Sequence, residues 1–243
     1  MEMKWKWKSL KLTNVIGIIG AMRPEVEILK SDMDIKRTVN IAHVEFYEGT
    51  LENKNIVLVE SGIGKVNASI ITTLLINEFK VDSVINTGVA GSLTNELNIL
   101  DMVISSHTVH HDVEATTFGY DIGQVPSMPL NYNAEADLIE AAKGALEAYD
   151  KVKYTVGEVV SGDQFIDTDE KKHIILNTFK DAKAVDMESA AIAQTCYQFK
   201  TPYLILRSMS DKADGSADMN YDEFLRKACI HSSNTVKLVL KEL

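Results

Sequence analysis

The run Tyr203-Leu204-Ile205-Leu206, which leads into Ser208-Met209-Ser210-Asp211, has no polar residue interrupting its apolar side chains. A strand with one wet face alternates apolar and polar residues, whereas a strand covered on both faces has no need to. Val84-Ile85 reads the same way, so the sheet lies between two helical layers. Outward from these runs, short apolar segments at Val15–Ile19, Ile41–Tyr47, Ile56–Glu60, Ser83–Asn86, Met102–Ser106, Tyr154–Val160 and Ala184–Val185 predict further strands. Amphipathic segments between them predict helices over Glu25–Lys30, Val66–Phe79, Ala134–Tyr149, Glu170–Thr178, Met187–Phe199 and Tyr221–Leu240. The fold class is α/β.

No Ser/Gly/Pro-rich linker, internal repeat or low-complexity tract divides the chain, which predicts one domain over 14–243. Residues 1–13 form a basic extension, expected to be flexible. Followed by the apolar Val15–Met22, it has the order of a signal peptide. Yet the apolar stretch is short, holds two glycines and enters Arg23-Pro24-Glu25 without a small-x-small cleavage site. No segment approaches the about 20 apolar residues of a membrane span. A cytoplasmic protein is expected, with Cys196 and Cys229 as reduced, packed thiols, because they form no CxxC pair. The formal charge of −10 opposes a polyanionic partner, nucleic acid or acidic membrane, through its long-range field. A small, roughly neutral substrate is compatible. The least regular segment is Thr108–Asn133, where Gly119, Gly123, Pro126 and Pro129 stand in polar-aromatic surroundings. Long irregular stretches inside compact domains are often functional.

Ligands of α/β sheets bind beyond the carboxyl ends of strands. Glycine-bearing strand exits occur at Gly20–Glu25, Ser61–Lys65, Asn86–Gly91 and Ser161–Phe165, and Ser208–Asp211 is a fifth exit without glycine. Gly62-Ile63-Gly64 lacks the third glycine of a dinucleotide fingerprint, and Gly64-Lys65 lacks the upstream glycine of a P-loop. Neither NAD nor ATP is indicated, and no cofactor is expected. Three acids stand at these exits, and each alone has an ordinary explanation. Glu25 follows Pro24 at a helix start, where acids are favoured anyway. Asp211 could be a turn residue. Glu188 sits beside an Ala-rich helix that reads as buried, where an acid is uncommon without a partner. His107, His110 and His111 with Asp112 could be taken for zinc ligands, but they lie at a strand exit with no fourth ligand, so no metal is expected.

Gly17–Met22 with Glu25-Val26, Ser61–Val66 and Asn86–Gly91 together resemble the 5′-methylthioadenosine/S-adenosylhomocysteine nucleosidases. So do Phe118-Gly119-Tyr120 with Gly123-Gln124 and Pro126, Ser161–Ile166, Asp186–Ala191, and Ser210-Asp211 with Ala213-Asp214 and Asp222-Glu223-Phe224. The segments match in order from about residue 14 to the C-terminus, and it is the ordered series that makes the resemblance specific. It implies a nucleoside-phosphorylase-like fold, a three-layer αβα sandwich with a central mixed, partly closed sheet. It implies a homodimer in which Phe118 and Pro126 cover the partner's pocket. Residue roles follow by matching position. Glu25 would deprotonate the attacking water, Asp211, held by Ser210, would protonate adenine N7, and Glu188 with Met187 would hold the ribose. Phe165 would stack on adenine while backbone groups of Phe165 and Ile166 read its edge. Ile63 and Tyr221 would line the 5′-alkylthio pocket, and Val89 and Gly91 the substrate site. The implied substrates are 5′-methylthioadenosine, S-adenosylhomocysteine and 5′-deoxyadenosine, within methionine salvage and methyl-cycle recycling. Three departures from the family pattern are Arg23-Pro24 before Glu25, Val89 for a frequent serine and Asp186 for the usual glutamate.

The chemistry agrees. Breaking a C–N ribosidic bond builds a ribosyl cation and negative charge on the departing base, so an acid at the base and a carboxylate at the sugar lower the barrier. A nucleoside phosphorylase is the nearest alternative, since Arg23 could suggest phosphate, but Glu25 would repel a dianion nearby. Cleavage of aminodeoxyfutalosine would use the same carboxylates. A non-catalytic storage protein would not be expected to retain Glu25, Glu188 and Asp211 together.

Overall fold

Each predicted apolar run distributes its side chains to two opposite cores. Leu204 and Leu206 pack in one buried cluster with Ile16, Ile18, Ile56, Leu58 and Leu138, while Tyr203 and Ile205 enter another with Ile19, Val57, Val59, Ala68 and Ile71. That double-sided burial is why these strands need no polar alternation, and each such Leu or Ile contributes roughly 1.5–3 kcal/mol. The computed structural model describes residues 14–149, 152–213 and 221–243. The extension at 1–13, Asp214, and the side chains of Tyr221, Asp222 and Glu223 lie outside the described residues.

The elements run β1 (Val15–Gly20), α1 (Arg23–Asp32), β2 (Asp34–Ile41), β3 (Val44–Leu51), β4 (Lys54–Glu60), α2 (Lys65–Asn77), β5 (Ser83–Ser92), β6 (Met102–His110), a short 3-10 turn (Thr116–Phe118), and β7 (Tyr132–Asn133). They continue with α3 (Ala136–Tyr149), β8 (Tyr154–Ser161), α4 (Asp169–Thr178), β9 (Ala182–Asp186), α5 (Ser189–Phe199), β10 (Tyr203–Asp211) and α6 (Tyr221–Glu242). The sheet order is β10-β6-β8-β9-β5-β1-β4-β3-β2, and β10 also pairs with β5. That second pairing closes β5, β10, β6, β8 and β9 into a ring, from which β1, β4, β3 and β2 extend. Helices α1, α3 and α6 pack on one face and α2 and α5 on the other. The chain is the expected mixed, partly closed sheet between helical layers. Among the described residues, no helix is long and apolar enough to cross a membrane.

The structure corrects the element reading in four places. The expected single strand Ile41–Tyr47 is the tip of a hairpin, with Ala42 (φ 53°) and His43 (φ 65°) making the turn between β2 and β3. The pair holds none of the Asn, Asp or Gly that mark two-residue hairpin turns, so the sequence hid it. β2 itself is polar and mostly exposed, an edge strand with no apolar signature. The irregular segment starts later than Thr108, because β6 continues to His110. Finally, Asn86–Gly91 and Ser208–Asp211 are not turns after strands: the first lies within β5, which runs on to Ser92, and the second ends β10.

Candidate active site

Gly88 shows why glycine stands inside a strand here. A Cβ at this position would overlap Arg207 Nη1 and lie 2.5 Å from Glu25 Oε1. At Gly91 a Cβ would come within 3.0 Å of Asp211 Oδ1. Both glycines leave room for charged side chains to approach the backbone of β5.

Glu25, in the first turn of α1, is 2% exposed. Its Oε2 accepts from the Ala21 and Met22 N–H groups at 2.6 and 2.9 Å, and its Oε1 from the Val89 N–H at 3.0 Å. Burial pushes its pKa above the ordinary carboxylate value, against the pull of Arg207 and the three N–H donors. The first-turn role expected of any such acid is real, since Glu25 caps its own helix, but Oε1 reaches across to β5.

Arg207, fully buried on β10, is the centre of the charge network and was not singled out from the sequence. Its Nε donates to Asp186 Oδ2 at 2.7 Å, its Nη2 donates to Asn86 Oδ1 at 2.6 Å, and Nη2 lies 3.6 Å from Glu188 Oε2. Nη1 is buried without a hydrogen-bond partner among the described residues. The signal was there: a cation that directly follows the apolar run Tyr203–Leu206, in a strand that reads as covered on both faces, has to be paired.

Glu188 and Asp186 divide the N-terminus of α5 between them. Asp186 Oδ1 accepts from the Glu188 and Ser189 N–H groups at 3.2 and 3.1 Å and from Ser161 Oγ at 2.5 Å, while Ser189 Oγ donates to Asp186 Oδ2. Burial opposes its charge, but Arg207 and these donors outweigh it and hold Asp186 below the usual carboxylate range. With the helix capped from upstream, Glu188 is free to turn into the pocket, where its Oε1 accepts from the Gly64 N–H at 2.9 Å. Burial, and then the charge of Asp186, push its pKa up to about 7. Asp211 ends β10; Ser210 Oγ donates to its Oδ2 at 2.8 Å and the Ala213 N–H to its Oδ1 at 2.7 Å.

Glu25, Glu188 and Asp211 line one pocket of about 600 Å³, its open mouth included. Ile63, Val89, Gly91, Phe165, Ile166, Met187 and Ser210 line it too, as do Ala21, Met22, Ala90, Gln164 and Val185, which fall in the motifs and strands of the sequence but carried no expected site role. Phe165 and Ile63 are about half exposed at the mouth, whereas Ile166 is buried. Phe118 and Pro126 are exposed and lie outside the pocket of their own chain. Arg23 is also turned away from it, paired with Glu27 at 3.3 Å on the surface.

The histidines do not converge. His107 Nε2 contacts Glu158 and His110 Nε2 contacts Gln194, each at 2.9 Å, while His111 packs against Gly162. Burial lowers the pKa of both His110 and His111. Among the described residues no cluster of three or more His, Cys, Asp or Glu could hold a metal.

Residues 15–243 match the family model described as the phosphorylase superfamily. The chain is 50% identical over 229 residues to the 5′-methylthioadenosine/S-adenosylhomocysteine nucleosidase of Staphylococcus epidermidis, covering 94% of this chain and 100% of the relative. It superposes with a TM-score of 0.92 at 45% identity on the nucleosidase of that name from Neisseria meningitidis, solved with methylthio-immucillin-A, over 95% of this chain and 100% of the other. The corresponding enzyme of Colwellia psychrerythraea, solved with adenine, gives 0.91 at 41% identity over 94% and 95% of the two chains. The chain therefore belongs to the phosphorylase superfamily and, within it, to the 5′-methylthioadenosine/S-adenosylhomocysteine nucleosidases.

Proposed function

We propose that the chain hydrolyses the N-ribosidic bond of 5′-methylthioadenosine and S-adenosylhomocysteine, and of 5′-deoxyadenosine, to release adenine. The observation that carries this reading is the convergence of Glu25, Glu188 and Asp211 on one pocket whose other walls are largely apolar. In such a site each acid can act at a different part of the nucleoside. Asp211, oriented by Ser210, gives its proton to adenine N7 as the C–N bond breaks, so the base leaves neutral. Glu188 accepts from the 2′- and 3′-hydroxyls beside Met187 and opposes the positive charge growing on the ribose. Glu25, its pKa raised by burial, takes the proton of the attacking water. Phe165 stacks on adenine, backbone groups of Phe165 and Ile166 read its edge, and Val89 and Gly91 complete the wall behind it. Ile63 faces the 5′-alkylthio arm.

Water rather than phosphate is the nucleophile in this reading. The outward turn of Arg23 supports that, because it leaves the pocket without its cation, while Glu25 keeps an acid there that would repel a dianion. Val89 brings no hydroxyl to the water side, and its N–H is given to Glu25, so Glu25 and backbone groups have the larger share in placing the water. The exposed Phe118 and Pro126 support a homodimer in which they cap the partner's pocket. The two buried free thiols, Cys196 and Cys229, fit a cytoplasmic setting in methionine salvage and methyl-cycle recycling.

The test is release of the base, with and without phosphate: adenine from methylthioadenosine, adenosylhomocysteine, 5′-deoxyadenosine and aminodeoxyfutalosine, and hypoxanthine from inosine. Release from the first three in phosphate-free buffer is expected. Strict phosphate dependence would make the chain a phosphorylase, and exclusive use of aminodeoxyfutalosine would move it to that route.

A further inference from the structure

Three loops meet at the pocket mouth, and their meeting point is a closed ring of charged contacts outside the carboxylate trio. Asp112, just past the end of β6, accepts from Lys65 Nζ with both oxygens, at 2.7 and 2.8 Å. Its Oδ2 also accepts from the Asp163 N–H at 2.9 Å, in the loop between β8 and α4. Asp163 Oδ1 in turn accepts from the Lys65 N–H at 2.8 Å, at the start of α2. The neighbours of these residues are pocket residues: Ile63 and Gly64 precede Lys65, and Gln164 and Phe165 follow Asp163. Gly64 adopts φ +98°, and its N–H is the donor to Glu188 Oε1.

We propose that Lys65, Asp112 and Asp163 form a positioning clamp that fixes the pocket mouth and, through Gly64, the orientation of Glu188. The ion pair is mostly shielded, with side-chain exposures of 22% and 13%, so it is screened less than a surface pair. Without it, the α2 start and the Phe165 loop keep only the Lys65 N–H to Asp163 Oδ1 bond and lose their common anchor on Asp112. Ile63 and Phe165 then no longer hold a fixed spacing, and the Gly64 N–H no longer has a fixed direction. The clamp rests on the reading of Glu188 as the ribose acceptor. Glu188 is faced by Asp186 of β9, Arg207 of β10 and Glu25 of α1, and the Gly64 donor opposes the raising of its pKa by burial and by Asp186. Losing that donor raises the pKa further.

The test compares the parent with Lys65→Met, Asp112→Asn and Lys65→Arg. Lys65→Met and Asp112→Asn are expected to raise KM for methylthioadenosine about tenfold while kcat stays within about twofold. The acidic limb of kcat/KM should move to higher pH, the double variant should be no worse than either single one, and Lys65→Arg should restore the parent's profile. A loss of kcat alone, with KM and the acidic limb unmoved, overturns the clamp as a positioning device. Amide hydrogen exchange on the unliganded protein is independent of catalysis: Gly64 should exchange at least about tenfold faster in Lys65→Met. Unchanged Gly64 exchange overturns the clamp, whereas a parent that releases no adenine overturns the nucleosidase reading instead.

Discussion

At the scale of single residues, Glu188 ties stability and activity to pH in opposite directions. Its pKa rises from the ordinary 4.5 to about 7 on folding. A carboxylate raised in this way binds its proton more tightly when folded, so its stabilising effect is complete below about pH 4.5 and is lost as pH climbs through about 7. The rise corresponds to roughly 3 kcal/mol at about 1.4 kcal/mol per pH unit. Glu188→Gln, which cannot ionise, should therefore gain up to about 3 kcal/mol relative to the parent between pH 5 and pH 8, read from urea midpoints. In the proposed reaction activity runs the other way, because there the ribose hydroxyls need an ionised acceptor. The parent's kcat/KM should fall about tenfold per pH unit below about 7, and the glutamine variant should lose that limb along with most of its activity. A Glu188→Gln stability difference that does not change with pH would show that Arg207 has already neutralised the site.

At the scale of elements, the start of α5 shows how a helix is arranged to serve a pocket. The Ala190 N–H donates to Ser161 Oγ at 2.9 Å, and that hydroxyl in turn donates to Asp186, so a residue of β8 completes the cap. Ser161→Ala leaves a buried N–H unpaired and removes a donor from Asp186. The expected loss is about 1–3 kcal/mol of stability in urea unfolding, with KM raised several-fold as Glu188 loses its fixed base. Elements of this kind were legible in part. Double-sided strands announced themselves because covering both faces demands apolar residues at every position, as Leu204 to Leu206 show. β2 did not, because an exposed edge strand carries no such demand, and the turn at Ala42-His43 lacks the Asn or Gly that would have marked it.

At the scale of the whole molecule, Phe118 is 80% exposed, the largest exposure among the exposed large hydrophobic side chains described. If a second copy covers its 5′ pocket with this ring, the substrate gains the apolar contact only in the dimer. Phe118→Ala should then raise KM for methylthioadenosine by about 10-fold or more with little change in melting temperature, the ring being worth roughly 1.5–3 kcal/mol when buried. Dilution below the dimer dissociation constant should lower kcat/KM of the parent and leave that of Phe118→Ala nearly unchanged. Sedimentation across the same concentrations checks that association, and not unfolding, is being followed.

The sequence by itself determined the α/β class, the two-faced sheet, and the set of strand ends at which chemistry would be found, since local apolar patterning reports burial directly. Ordered motifs also named Glu25, Glu188 and Asp211. Only the tertiary structure decided how these acids are held. Arg207 pairs with residues far away in the chain: Asp186, Asn86 and the Glu188 carboxylate. Gly88 and Gly91, which look like turn glycines in the chain, are spaces inside β5 kept open for Arg207, Glu25 and Asp211. The physical reason is one of range. Burial is imposed residue by residue and leaves its mark in composition, whereas compensation of a buried charge depends on which distant side chain the closed sheet brings within hydrogen-bond reach.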